Sequence, residues 1–277
     1  MTARTLTPTL SRLQERVRSG QDEAVASSRQ TIGLPAMTPL VFWHGWGMRS
    51  TAWHSLAHHL QHCCDLHLQS LPGYDDTPAP QPYTAEAVVD ALMAEQTTPI
   101  TLCGWSLGAM LALLAAQRHP DKVQRLILIS ATPSFVQRDG WAHGITTKVL
   151  REFASAVSAD ATTALKHFIA LFNHDDVQAR HNTRELSDFN LPPQAVLDDG
   201  LALLRDMDLH LVVPEIHQPT LLLHGAHDPL MPLAAAEWLA ATMPSAQLEV
   251  FPQAAHAPFI SDPVHCAKLI TDWMQVQ

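Results

Sequence analysis

Three residues have the types and the order needed for covalent chemistry: Ser106, Asp228 and His256. A serine hydroxyl is a weak nucleophile near neutral pH. It needs a base within hydrogen-bond reach, and the base needs a third group to fix its tautomer. Ser106 stands at the centre of Gly104-Trp105-Ser106-Leu107-Gly108, the G-x-S-x-G pattern of a sharp strand-to-helix turn that lifts a hydroxyl out of the backbone. The two glycines leave room where a Cβ would strike the neighbouring strand or helix. The serine then lies at a helix N-terminus, where free N–H groups and the helix dipole favour developing negative charge. His44-Gly45-Trp46-Gly47 is a second glycine-rich corner, able to aim a backbone N–H at the same centre. The expected chemistry is acyl transfer, with Ser106 as nucleophile, His256 as base and Asp228 orienting the imidazole. The backbone N–H groups of Trp46 and Leu107 would hold the oxyanion. Trp46, Trp105, Leu107 and Phe168 are the candidate substrate contacts. This chemistry calls for no metal and no organic cofactor.

The elements that must position these residues can be read from apolar runs and their punctuation. Short apolar strands are expected at 40–43, 65–71, 100–103, 123–130, 220–223 and 247–251. A helix is expected from Leu107 to Arg118, stopped by Pro120, and Thr84 is placed to cap another running to about Gln96. Strand, helix and strand in succession from Ile100 to Ser130 make a βαβ unit, which implies a parallel sheet covered on both faces. Asp228 and His256 each fall in a loop after a strand, as Ser106 does. That is the edge where parallel sheets place their ligands. Asp206 and Asp208 lack that context, and His224 and His227 crowd Asp228 in one short loop.

From about residue 134 to 210 the pattern is helical, with the best helices at 148–157, 161–172 and 195–207. It reads as an all-helical lid inserted over the sheet edge, its apolar face carrying Phe168, Leu171 and Phe172. The domain plan is an N-terminal arm (1–37), a core of 38–133 and 211–277, and the lid at 134–210. In the arm, Leu10, Leu13 and Val17 recur at helical spacing before Gly20. The terminal helix is expected to open at Pro263, after a loop at 253–258.

With 277 residues the chain can bury a large core, and 47% hydrophobic against 16% charged residues describes a globular protein. A net charge of −10 argues against a nucleic-acid partner, since phosphate binding needs a basic surface. There is no apolar run long enough for a membrane span and no apolar signal-peptide core. Cys63, Cys64, Cys103 and Cys266 do not form a disulfide framework, which suits a reducing cytoplasm. His54, His58 and His62 recur every four residues, but no neighbouring ligand pattern supports a metal site. A monomer is expected.

With these pieces laid out, the chain from about Leu40 onward resembles the BioH family, esterases of the α/β-hydrolase superfamily that act on the methyl ester of pimeloyl-[acyl-carrier protein]. The G-x-S-x-G and H-G-x-G pieces are general to α/β-hydrolases. The tryptophan-bearing versions and Ala254-Ala255-His256-Ala257-Pro258-Phe259-Ile260-Ser261 are more specific. The resemblance implies an α/β-hydrolase fold, removal of a methyl group in biotin biosynthesis, and acyl-carrier protein as partner. It also implies basic lid groups for that acidic carrier, at Arg180 and Arg184, which share a face if helical. A solvated helix face is the other reading of the same two residues. In one loop the chain departs from the superfamily: where relatives usually read Asp-Leu-Pro-Gly-x-Gly, it has Ser70-Leu71-Pro72-Gly73-Tyr74-Asp75. A broader carboxylesterase, lactonase or thioesterase on the same fold is the alternative, and a non-catalytic binding protein the rival from another class.

Overall fold

A computed structural model describes residues 38–187 and 190–275. The helix expected in the arm lies outside the described residues. Chain order is β1 (Leu40–Trp43), α1 (His54–Leu60), β2 (Leu66–Gln69), α2 (Ala85–Ala94), β3 (Ile100–Trp105), α3 (Leu107–Arg118) and β4 (Val123–Ile129). Four helices follow: α4 (Thr147–Ala159), α5 (Ala161–Phe172), α6 (Ala179–Glu185) and α7 (Gln194–Asp206). The chain then returns through β5 (Thr220–Gly225), α8 (Leu233–Thr242), β6 (Ala246–Phe251), the single turn α9 (Pro258–Ser261) and α10 (Pro263–Gln275).

The six strands form one sheet in the order β2-β1-β3-β4-β5-β6, every pairing parallel. From β1 to β2 the chain moves one way along the sheet, and from β2 through β3 to β4 it moves the other way. Right-handed crossovers therefore put α1 on the opposite face from α2 and α3. The central strands β1, β3 and β5 are buried along their whole length, as strands covered on both faces must be. The α1 stripe of Leu56 and Leu60, with Trp53 just before it, is fully buried. Each such side chain removed from water contributes about 1.5–3 kcal/mol. Thr84 caps α2, its hydroxyl accepting from the Ala87 N–H at 3.2 Å.

Between β4 and β5 the described residues carry α4 to α7 and no named strand, with isolated bridges near 136–145. The described residues belong to one compact unit, Met37–Gln277. The expected apolar stripe on α5 is split. Phe172 is buried and Phe168 half-buried, but Leu171 is 59% exposed, because the stripe that packs inward runs through Leu165, Ile169 and Phe172. The loop expected to run through residue 258 ends a residue earlier, where Pro258 opens α9. A four-residue turn is too short to carry a helical period in sequence.

Candidate active site

Ser106 caps α3 with φ +57° and ψ −119°, a strained conformation at the turn out of β3. The turn tolerates it because of its two flanking glycines. A Cβ on Gly104 would come within 2.3 Å of the Gly108 carbonyl oxygen, and one on Gly108 within 2.2 Å of the Trp43 carbonyl oxygen in β1. No side chain fits at either place.

All three sequence-identified residues meet. The Ser106 hydroxyl lies 2.9 Å from His256 Nε2, and His256 Nδ1 lies 2.7 Å from Asp228 Oδ2. The second oxygen of Asp228 accepts from the Leu230 and Met231 N–H groups at 2.9 and 3.0 Å. Burial alone would raise the Asp228 carboxyl, but the His256 imidazole, its hydrogen bond, His224 and the Met231 N–H outweigh it. The carboxyl is held below the usual range. An ionised carboxylate only accepts, so His256 carries its proton on Nδ1 and offers a bare Nε2 to the Ser106 hydroxyl. The arrangement can take a proton from Ser106 as its oxygen attacks an electrophile.

The His44-Gly45-Trp46-Gly47 corner lies against this centre: a Cβ built on Gly45 would stand 3.2 Å from the Ser106 Cβ. Among the described residues, neither the Trp46 nor the Leu107 N–H donates to another group, so both donors are unspent. The corner is held by His44, whose Nδ1–H donates to the Gly45 carbonyl at 2.9 Å and whose Nε2 accepts from the Leu71 N–H at 3.0 Å. Burial drops the His44 pKa to about 4, which keeps this tautomer neutral. Tyr74 packs edge-on to His44 at 4.8 Å, and its hydroxyl accepts the Gly47 N–H at 3.0 Å.

The departure at residues 70–75 is internally compensated. Asp75 takes a left-handed backbone (φ +48°). Its carboxylate accepts from the Ser70 hydroxyl at 2.6 Å and from Arg49 Nε at 2.6 Å. The hydroxyl at position 70 and the carboxylate at position 75 are thus paired within the loop.

The remaining sequence candidates fall in different places. Trp46 donates its indole N–H to the Leu197 carbonyl in α7 at 2.9 Å and meets Phe153 and Phe168 edge-on at 5.4 and 5.8 Å. The chain thereby joins the nucleophile's corner to the helical segment. Trp105 faces into the core, packed on Trp53, Phe172 and Phe259. Its indole N–H is committed to the His256 carbonyl at 2.8 Å. Arg180 and Arg184 are both exposed on α6. Arg184 reaches His181 Nδ1 at 3.1 Å and Glu185 at 3.9 Å. His224 is buried and bonded to the Met231 carbonyl, while His227 is exposed, so neither competes with His256. Sequence reasoning missed His44 and Tyr74 as supports of the corner. Their only signal was a pair of polar aromatics at two strand ends.

The sheet order, the strained serine turn and the Ser–His–Asp relay define the class. A family model described as alpha/beta hydrolase fold matches residues 38–263, and the chain belongs to that family. Its relatives narrow the placement. A protein of Aromatoleum aromaticum called pimeloyl-[acyl-carrier protein] methyl ester esterase is 41% identical over 84% of this chain and 96% of its own length. One of the same name from Chromobacterium violaceum is 33% identical over 86% and 94%. An esterase of Exiguobacterium antarcticum has a similar structure, with a TM-score of 0.76 and 24% identity, covering 86% of this chain and 92% of that one. That likeness speaks to fold alone.

Proposed function

We propose that this chain is a serine carboxylesterase that hydrolyses the methyl ester of pimeloyl-[acyl-carrier protein] to the free carboxylate and methanol, in biotin biosynthesis. The observation that carries the reading is the relay from Ser106 through His256 to Asp228, in a chain whose relatives bear that activity in their names. Ser106 Oγ attacks the ester carbonyl as His256 Nε2 takes its proton. Asp228 stabilises the imidazolium. The Trp46 and Leu107 N–H groups hold the tetrahedral oxyanion, each worth on the order of 3 kcal/mol. Collapse breaks the bond to the methoxy oxygen, which leaves as methanol with the proton from His256. Water then attacks the acyl-enzyme with the same base, freeing the acid and returning the proton to Ser106.

In this reading residues 134–210 act as a lid. Trp46, Leu107 and Phe168 contact the acyl chain, and Trp105 acts through the His256 backbone. Arg180 and Arg184 give the acidic carrier a local basic surface on a protein of net charge −10. The protein works as a monomer, and its four free thiols suit the cytoplasm. No helix among the described residues is long and apolar enough to cross a membrane.

The test is complementation of a biotin-requiring bacterial strain that lacks its pimeloyl methyl ester esterase. Growth is expected with the wild type and not with Ser106→Ala. A well-expressed protein that cleaves simple esters but does not restore growth would assign it to the broader esterases.

A further inference from the structure

The catalytic base of this fold sits on a loop, and here that loop is held from two sides. From the core, Trp105 Nε1 and the Ser130 hydroxyl donate to the His256 carbonyl at 2.8 and 3.0 Å. From the lid come three further bonds. The Phe172 carbonyl accepts the His256 N–H at 3.4 Å, and Val177 donates its N–H to the Gln253 carbonyl at 3.0 Å. The third comes from Asp176, between α5 and α6, whose Oδ2 accepts the Ala255 N–H at 2.7 Å.

Asp176 is the unusual member. It is only 6% exposed, and among the described residues no lysine, arginine or histidine forms an ion pair with it. Burying a carboxylate is costly unless hydrogen-bond donors replace water. Three donors do so: the Ala255 N–H, the Ser261 hydroxyl at 2.6 Å on the same oxygen, and the Gln178 N–H at 2.7 Å on the other. Ser261 is itself oriented by the side chain of Asn182, a fully buried α6 residue, which donates Nδ2–H to its oxygen at 2.8 Å. Two of the donors on Asp176 thus bracket His256: the amide just before it and the last residue of α9, the turn that follows it. A carboxylate needed only to fasten the lid would gain as much from any exposed amide.

We propose that Asp176 is a positioning residue of the reaction: through Ala255 and Ser261 it sets the backbone from which His256 reaches Ser106. The lid then contributes to the nucleophile's activation as well as to substrate binding. The inference rests on the Ser106–His256–Asp228 reading above. It assigns a role to Ser261, the end of the family-like Ala-Ala-His-Ala-Pro-Phe-Ile-Ser string that the triad leaves unexplained.

The measurements are the labelling rate of Ser106 by a small fluorophosphonate and kcat and KM on p-nitrophenyl acetate, neither of which needs the carrier. Asp176→Asn keeps the volume but turns an amide N–H toward donors. Since a misplacement of about 1 Å costs roughly 100-fold, kcat and labelling are expected to fall together by about 10- to 100-fold, with KM within about twofold. Ser261→Ala removes one donor and is expected to lose about 3- to 10-fold, and the double variant to fall no further than Asp176→Asn. Circular dichroism establishes that each variant is folded. If Asp176→Asn does not fold, Ser261→Ala decides. Folded variants whose labelling and kcat match the wild type overturn the proposal. A loss confined to KM does the same, because it assigns Asp176 to substrate binding. Wild-type protein that does not label at all refutes the Ser106 assignment itself, so the two failures are distinguishable.

Discussion

Acid should unfasten the corner beside the nucleophile through one buried histidine. His44 spends both ring nitrogens: Nδ1–H donates to the Gly45 carbonyl and Nε2 accepts the Leu71 N–H. A second ring proton would face the Leu71 N–H, donor against donor, on a fully buried side chain. Burial accordingly lowers the pKa from 6.5 to about 4. The unfolded chain binds this proton from about pH 6.5 downward while the folded chain refuses it until about pH 4. The stability is therefore fully present above 6.5 and is lost as the pH falls between the two values. At about 1.4 kcal/mol per pH unit, the loss from this one group is about 2 kcal/mol by about pH 5, approaching about 3 kcal/mol near pH 4. The perturbation is His44→Gln, which offers Leu71 an oxygen acceptor and does not titrate. Urea unfolding followed by tryptophan fluorescence, at about pH 7.5 and about pH 5, gives the two slopes. The variant is expected to be less stable at the higher pH, having lost a fitted ring, but to lose about 2 kcal/mol less than the wild type on acidification. Parallel losses in the two proteins would refute the argument, since the acid sensitivity would then come from other groups.

Three further outcomes are expected. Ser106→Ala should abolish fluorophosphonate labelling and lower ester hydrolysis by about 10³-fold or more, and labelling that persists would point to another nucleophile. Arg180→Glu combined with Arg184→Glu should reduce kcat/KM for a carrier-bound ester by roughly 10-fold and spare a small free ester, and equal effects on both would reject carrier docking at α6. Gly108→Ala, whose Cβ would lie 2.2 Å from the Trp43 carbonyl oxygen, should cost more than about 3 kcal/mol or prevent folding, read by soluble yield and thermal melting.

Residues that must satisfy a local rule were legible in the sequence. The serine turn needs glycine on both sides for steric reasons, and Gly104 and Gly108 declare it. Asp228 and His256 were legible because each follows an apolar strand, and parallel strands deliver their ends to one edge. Residues that act on backbone far away in sequence were not. Asp176 bonds an amide 79 positions distant, and nothing in its own surroundings marks that partner. Trp105 is among the candidate substrate contacts in sequence, yet its indole N–H is turned toward the carbonyl of His256. The loop at 70–75 departs from the superfamily pattern in sequence. Its sense is three-dimensional: Asp75 combines a left-handed backbone with a carboxylate that accepts from the Ser70 hydroxyl.

These long-range bonds bear on how the helical segment and the sheet core share the work. An α/β-hydrolase core can in principle supply nucleophile, base and acid from its own strand ends, leaving an inserted helical segment free to vary with substrate. Here Trp46 bonds α7, while the loop of His256 bonds Phe172, Asp176 and Val177. Both the Trp46 corner and the base thus take part of their position from the helical segment, which the proposed function assigns to the substrate. A substrate that shifts that segment would also shift the distance between Nε2 and the Ser106 hydroxyl, now 2.9 Å. Hydrogen bonding at this range weakens steeply with separation and angle, so small displacements suffice. If that segment binds the acyl chain as proposed, selection for a given chain acts on the rate of attack as well as on binding.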